Sequence, residues 1–439
     1  MRSSSDTCKN PLDHSDSRMA EKRTDASGQF VWIPFVEAIV PEVDKERREM
    51  IITPPKGLLE LNLRSDTRSK KERHQMEWKQ RKKLHHRFNV AKKVLHEMGQ
   101  SHLLDGFRIG EKDQKDKLAM KIVNANLRLF QHAVQSVGSS STRLSLFDFV
   151  GANSNLLLKN ALKIPHKYLL DCAYSEKNSE LFKEGLKLLR NSKAAIILFV
   201  NDDRNFGEFA HHKLQKLLFD YRRFLKCEER NIEIPLIIMT STDQIRSSEQ
   251  LLLDNDYFGF NAEKVRFSEE TQLPVAQKSA GSDKILLKSP WEILEAPTGS
   301  GGIFASLASH KGVEFLQEMG VEYVQVCALS EKSAFGSPLF FGQASSCKAD
   351  ISLKIIEDGK DEDGYDLIFS IGQMIKICKQ MDALSFQAVL EQHEHVEMVD
   401  GEWTEIKPSS PNSYSLRCSI YSVLNSCSID KISIMQVYA

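Results

Sequence analysis

Residues 298–302 read Thr-Gly-Ser-Gly-Gly, directly ahead of an apolar stretch with helical spacing. Glycine tolerates positive φ and carries no Cβ, so such a loop can bring backbone N–H groups against a phosphate or a flat ring. It is neither a Gly-x-x-x-x-Gly-Lys-Ser/Thr loop nor Gly-x-Gly-x-x-Gly, because Ile303, Phe304 and Ala305 follow the last pair. A tight turn into a helix is the plainer reading, and on this loop alone the two stand level. Two other stretches gather histidines and carboxylates, "EFAHH" (208–212) and "EQHEHVE" (391–397). In the second, Glu391, His393 and His395 alternate as on one exposed strand face. No His-Glu-x-x-His spacing and no cysteine joins them, which favours surface chemistry over a metal site. No Gly-x-Ser-x-Gly elbow or Cys–His arrangement occurs. The acidic run 357–366 lacks EF-hand spacing and reads as a hairpin or loop.

These residues need elements to hold them. From about residue 155 the pattern alternates strand and helix. "KAAIILFV" (193–200) and "EIPLIIMTST" (233–242) are aliphatic runs suited to buried parallel strands. Residues 208–229 read as a helix, and a further helix ends at Gly259. A third strand starts at "AEKVRFSEE" (262–270), and the glycine loop, a helix (303–319) and the strand 321–329 follow. This order implies a doubly wound α/β sheet.

Ahead of it, residues 1–29 read as a disordered tail and 30–60, cut by four prolines, as extended chain. Residues 64–93 hold twelve Lys/Arg against three Asp/Glu. A polyanion site is one reading. The plainer one is a solvated helix face with Trp78, Phe88, Val90, Val94 and Leu95 turned inward, since aromatics do not alternate with the charges. Residues 114–136 read as another amphipathic helix and 138–142 as a loop. The expected division is a tail (1–29), a mainly helical region with the basic helix (30–150) and an α/β domain (151–439).

A net charge of −1 points to no nucleic-acid or membrane partner. Eight scattered cysteines without CxxC pairs fit reduced thiols in a cytoplasmic protein, with a plastid as the alternative.

The stretches "PLIIMTS" (235–241), "NDYFGF" (255–260), "VRFSEETQLP" (265–274), "APTGSGGIFASL" (296–307), "MGVEYV" (319–324) and "SPLFFG" (337–342) come in one order at compact spacing. "DLIFSIGQMI" (366–375) and "KPSSPNSYSLRCSIYSVL" (407–424) follow. Together they resemble the UDP-N-acetylglucosamine pyrophosphorylases and, more distantly, the broader UDP-sugar pyrophosphorylases, over roughly residues 190–437. The resemblance implies a Rossmann-like GT-A nucleotidyltransferase core with a mostly parallel sheet. It implies uridylyl transfer from UTP to a sugar 1-phosphate such as N-acetylglucosamine 1-phosphate, with Mg²⁺ on the phosphates. The family's Ala-Pro-Asp-Gly-Asn-Gly-Gly loop maps onto Ala296–Gly302. Gly299 and Ser300 would then meet the uracil, with Gly301 and Gly302 permitting close approach. Glu269 falls in the uracil-contacting segment, and Ser370 and Gly372 in the sugar-contacting one. The family runs on past the point where this chain stops, which suggests a shortened form.

The same alignment marks departures. The family's Gly-x-Gly-Thr-Arg loop is reduced to "NDDRNFGEF" (201–209), with Arg204 as the remaining cation; "VGSSSTRLS" (137–145) with Lys167 is a displaced alternative that would use Arg143. The Asp-Asn pair that holds the metal becomes Leu329-Ser330, leaving Glu331 one residue on, and a second acidic position is Ser337. Gln-Gln in the uracil segment becomes Glu269-Glu270. Phosphoryl transfer depends on positioning and charge neutralisation. Two readings follow: a divergent uridylyltransferase using Arg204 and Glu331, or a non-catalytic UDP-sugar-binding protein that keeps Gly299–Gly302.

Overall fold

The computed structural model describes residues 19–23, 30–34, 36, 39–40, 42–44, 49–53, 70–124, 127–139, 146–165, 176–200, 207–227, 233–279, 282–330, 333–356, 364–381 and 384–438. Contacts divide the chain into two units, Met1–His85 and His86–Ala439. In the first, Met19–Arg23, within the expected tail, pairs antiparallel with Phe30–Pro34, and Glu42–Asp44 pairs with Glu49–Ile51. The basic segment forms the helix Lys70–Glu97. Trp78, expected to face inward, is 61% exposed, with Lys82 over its ring.

The second unit is built on an eight-stranded sheet. Its strands are β1 (Leu162–Pro165), β2 (Ala194–Phe199), β3 (Leu236–Thr240), β4 (Val265–Glu269), β5 (Tyr323–Ala328), β6 (Ile351–Ile356), β7 (Asp366–Ser370) and β8 (Ile432–Tyr438). The spatial order is β1-β8-β6-β7-β5-β2-β3-β4. All neighbours run parallel except β7, which is antiparallel to both β5 and β6. The mostly parallel α/β sheet is therefore as the aliphatic runs imply. Every residue of β2 and β3 is buried because helices cover both faces. Ala195, Ile197 and Phe199 join one core and Ala194, Ile196 and Leu198 the other, the period-two alternation of a strand.

From β2 the chain winds outward through β3 and β4, then returns to place β5 on the other side of β2. Ligands of open α/β sheets lie outside the carboxyl ends of the strands at such a reversal. On the face away from the glycine-loop helix, helices Glu176–Arg190 and Pro338–Ser346 cross at Gly185 and Gly342. A Cβ on Gly185 would stand 1.7 Å from the Pro338 carbonyl, and one on Gly342 1.8 Å from that of Leu181.

Among the described residues, two antiparallel four-stranded sheets and the antiparallel pair Gln272–Pro274 with Glu295–Pro297 complete the unit. One holds Ala276–Ser279, Ser282–Ile285, Phe386–Glu391 and Ser413–Cys418; the other holds Leu287–Ser289, Glu292–Ile293, His395–Val399 and Glu402–Ile406. Residues from 86 onward, grouped in sequence with the N-terminal region, pack here. Leu95 is fully buried, Val90 and Val94 are half-buried, and the Phe88 ring meets Phe107 edge-on at 4.8 Å. The Gln100 side chain donates to the Asp283 carbonyl (2.7 Å) and accepts from Ile285 N–H (2.9 Å).

Several boundaries differ from expectation. The helix expected at 114–136 is two, Lys112–Asn124 and Leu127–Ser139, so part of the expected loop at 138–142 is helical. The helix expected at 303–319 breaks into Ile303–Ser309 and Gly312–Glu318, because Lys311 adopts a left-handed conformation with φ of 54°.

Candidate functional site

The glycine loop lies beside the carboxyl end of β4. Thr298 anchors it from below: its backbone N–H (3.0 Å) and its Oγ1 (2.8 Å) both donate to the Thr271 carbonyl. The Thr298 carbonyl accepts from Cys418 N–H at 2.7 Å, which ties the loop to strand Ser413–Cys418. Gly299, at φ 78°, sits where a side chain would be strained. Gly301 and Gly302 are needed by the loop's own packing. A Cβ on Gly301 would lie 2.4 Å from Cys418 Sγ, and one on Gly302 2.0 Å from Thr298 Oγ1. Ser300 Oγ accepts from Ile420 N–H at 3.0 Å. Thus Gly301, Gly302 and the Ser300 hydroxyl are engaged with protein, while Gly299 and Ser300 remain half-exposed at the surface of the loop.

Of the two acidic residues ending β4, Glu269 is exposed and pairs in register with Thr240. Glu270 turns the other way, is buried, and accepts a hydrogen bond from Gly299 N–H. Burial raises its carboxyl to about 7, against the opposing pull of the Gly299 N–H and the Arg417 guanidinium. Arg417, on strand Ser413–Cys418, donates to Glu391 Oε1 at 2.7 Å. Tyr365, just ahead of β7, lies 6.3 Å by ring centroid from Phe199 at the end of β2. Its hydroxyl is buried and has no hydrogen-bond partner among the described residues. Burial raises the Tyr365 phenol well above its ordinary range, and the charge of Glu270 adds to the rise. Glu270 and Gly299 therefore meet at the carboxyl edge of the sheet, with Arg417 and Tyr365 within electrostatic range of the carboxyl. Arg417 lies in the stretch 407–424 and Tyr365 in the acidic run 357–366, but neither stands out there by type or spacing, and Glu269 and Glu270 are indistinguishable in sequence.

At the end of β5 the second buried carboxylate is arranged differently. Asp366 accepts from Lys354 Nζ (2.6 Å), Ala334 N–H (2.8 Å), Gln325 Nε2 (3.0 Å) and Ser333 Oγ (3.3 Å). Its side chain and that of Lys354 are 1% and 5% exposed. Gln325 also accepts from Gly336 N–H at 2.8 Å, so the network clamps the segment that leads to the helix at Pro338. Leu329 and Ser330 occupy the turn after β5, and Ser337 is buried as that helix's N-cap position. Arg204, Glu331, Arg143 and Lys167 lie outside the described residues. Among the described residues no group of three or more His, Cys, Asp or Glu is arranged to hold a metal. Asp366, the one buried carboxylate here, already has its lone pairs filled by cationic and amide donors. These residues do not fit Mg²⁺.

Ser370 and Gly372 are not brought to the loop. Because β7 is antiparallel, Asp366 stands opposite Cys327 at the carboxyl end of β5 and Ser370 opposite Tyr323 at its start. Four residue steps separate the two ends, about 13 Å along the strand. Ser370 instead caps helix Ile371–Lys379, accepting from Gln373 N–H (3.2 Å) and donating to Asp350 (3.1 Å). Gly372 is exposed with open space beside it.

The histidine-rich stretch does not form one exposed strand face. Glu391 ends one strand, His395 begins the next, and His393 lies in the turn between them. His393 and His395 are 8% and 5% exposed. Asn412 clamps that turn by accepting from His393 N–H (2.9 Å) and donating to its carbonyl (3.1 Å). Each ring has its own carboxylate, Glu391 at 3.6 Å from His393 and Glu397 at 3.4 Å from His395. The strand alternation was read correctly only up to Glu391, where the turn begins.

A glycine loop and a buried acid at the carboxyl edge of an α/β sheet form a candidate ligand site where open sheets of this kind bind theirs. The family described as UTP--glucose-1-phosphate uridylyltransferase matches residues 197–398. UDP-N-acetylglucosamine pyrophosphorylase of Saccharomyces cerevisiae is 21% identical over 294 residues, covering 63% of this chain and 60% of the relative. UDP-N-acetylhexosamine pyrophosphorylase-like protein 1 of Xenopus tropicalis is 22% identical, covering 43% of this chain and 44% of the relative. A crystal structure of uridine diphosphate N-acetylglucosamine pyrophosphorylase from Trypanosoma brucei, in complex with inhibitor, shares the fold with a TM-score of 0.56 at 15% identity, over 80% of this chain and 79% of that one. The chain is thus similar to UDP-N-acetylglucosamine pyrophosphorylases, and its matches span less than two thirds of the length of these two curated relatives. Among the described residues no helix is long and apolar enough to cross a membrane.

Proposed function

We propose that this chain binds a uridine nucleotide sugar, such as UDP-N-acetylglucosamine, at the edge formed by Gly299, Ser300, Glu270 and Tyr365. The observation that carries the reading is the buried carboxyl of Glu270 accepting from Gly299 N–H, with the Tyr365 hydroxyl, unpartnered among the described residues, at the same carboxyl edge. A buried phenol without a partner among the described residues is costly unless something completes it. The relatives' names supply the class of ligand.

Recognition is better provided for than group transfer. Uridylyl transfer requires cationic or metal neutralisation of the phosphates; the positions that the resemblance assigns to it hold Leu329 and Ser330, and Asp366 at the end of β5 is already saturated. The conclusion is a UDP-sugar pyrophosphorylase-like protein acting as a non-catalytic, regulatory or scaffold binder. Uridylyl transfer between UTP and N-acetylglucosamine 1-phosphate, using Arg204 and Glu331 with Mg²⁺, is the alternative that family resemblance supports.

Calorimetric titration with UDP-N-acetylglucosamine, paired with an assay of pyrophosphate release from UTP plus N-acetylglucosamine 1-phosphate and Mg²⁺, tests both. Binding without turnover supports the binder. Turnover that is lost in Glu331→Ala supports the transferase. Absence of both removes the nucleotide reading.

A further inference from the structure

We propose that the helix Lys70–Glu97 carries, over residues 78–85, a docking surface for single-stranded nucleic acid: Lys79, Arg81, Lys82 and Lys83 take backbone phosphates, and Trp78 stacks on an unpaired base. No residue of the glycine loop takes part.

The helix is built differently along its length. From Arg87 onward one side is held by protein: Ala91 and Leu95 are buried, the Phe88 ring meets Phe107, and Arg87 donates to Asp116 at 3.0 Å. Over residues 78–85 every described side chain is exposed except Leu84, which is half-buried. A helix that is polar all round gains little from packing, and like charges four residues apart, as at Lys79 and Lys83, oppose it. The helix's own sequence does not relieve this, since residues 78–96 contain seven Lys/Arg and no Asp/Glu. Lys79, Arg81, Lys82 and Lys83 have no ion-pair partner among the described residues. The net charge of −1 conceals this local excess because the balancing acids lie elsewhere along the chain.

Trp78 selects the kind of polyanion. Its ring is exposed, with Lys82 Nζ 5.2 Å from the ring centre. Stacking of a base on an exposed aromatic ring is tolerant of sequence and requires that the base be unpaired. A cation held over the same ring sets a phosphate charge beside the stacked base. Residues 78–85 span about 10 Å of helix axis, roughly the length of three phosphates along one strand. An anionic membrane fits less well. A helix that lies in a lipid interface offers it an apolar face, whereas here Ala91 and Leu95 are already buried in the core.

The test is fluorescence anisotropy of labelled oligo(U) and oligo(dT) with the full chain, across about 50–200 mM salt. Four phosphate contacts predict binding that weakens with salt, with a slope of log K against log salt of about −3. The combined variant Arg81→Gln/Lys82→Gln/Lys83→Gln should reduce that slope to about −1. A charge-matched variant at exposed lysines elsewhere, Lys117→Gln/Lys159→Gln/Lys407→Gln, should leave it unchanged. Trp78→Ala should bind about tenfold more weakly with the same slope, and Trp78→Phe should restore most of the affinity. Binding of either oligonucleotide in this pattern supports the surface, and the tighter of the two identifies RNA or DNA as the source. The inference is overturned by absence of binding to both, by a slope that the Arg81/Lys82/Lys83 variant leaves unchanged, or by a neutral Trp78→Ala. Binding to phosphatidylserine vesicles with none to either oligonucleotide overturns it in favour of a lipid surface.

Discussion

Two buried carboxylates lie at the carboxyl edge of one sheet, and they are held in opposite ways. Asp366 receives an ammonium, a backbone N–H, an amide and a hydroxyl. Glu270 receives one backbone N–H, with Arg417 acting from a distance. A saturated buried acid is a structural clamp: every lone pair is spent on fixing the 333–336 segment and β6 against β5. An acid with fewer donors among the described residues keeps acceptor capacity, and desolvation pushes it toward neutrality. The contrast separates the part of the edge built for rigidity from the part open to recognition.

The largest expected effect tests the clamp. Lys354→Met leaves the Asp366 charge buried without its cation and should destabilise the protein by about 3–5 kcal/mol in denaturant unfolding. Pairing it with Asp366→Leu should recover most of that loss, since a buried ion pair can often be exchanged for apolar packing. Failure of the double variant to recover would mean that the amide and hydroxyl contacts, more than the ion pair, hold the segment.

The opposite sign is expected at Glu270. Its carboxyl is raised from an ordinary value of 4.5 to about 7, so ionising it in the folded state costs free energy between those pH values. That cost is absent below pH 4.5 and complete above pH 7. Glu270→Gln should therefore leave stability unchanged at pH 4 and raise it by at most about 3 kcal/mol at pH 8, read as a pH-dependent difference in unfolding midpoints. An equal effect at both pH values would place Glu270 with Asp366 as a satisfied acid.

Smaller effects define the loop between them. Gly301→Ala forces a Cβ to 2.4 Å from Cys418 Sγ, and should cost about 1–3 kcal/mol as overpacking. Cys418→Ala in the same chain should return part of it, measured as a double-mutant cycle. Arg417→Ala breaks an exposed pair with Glu391 and should change stability by less than about 1 kcal/mol. Its visible effect belongs in the pH profile of Glu270.

Particular residues show what was legible in advance. Ile196–Leu198 and Ile237–Met239 announced themselves because a strand covered on both faces must be aliphatic throughout. Gly299–Gly302 also stood out, yet its glycines answer partly to Cys418 and Thr298, residues more than a hundred positions away in one case and adjacent in the other. His393 and His395 misled, because alternation looks the same in a strand and across a turn that a distant Asn412 clamps. Lys311 gave no signal, since a left-handed lysine is permitted by its surroundings and not by its type.

By itself, the order of residues determined the aliphatic strands, the winding from β2 to β4 and the presence of a glycine turn, because each follows from local pattern and chain order. Only tertiary structure decided that Glu270 and not Glu269 faces the loop, since neighbouring strand residues point to opposite sides and packing alone chooses between them. It also decided that Asp366, and not Ser370, reaches the carboxyl edge of β5: the direction of β7 is set by its pairing with β5 and β6. Strand direction is a property of partners, and no single stretch of sequence encodes it.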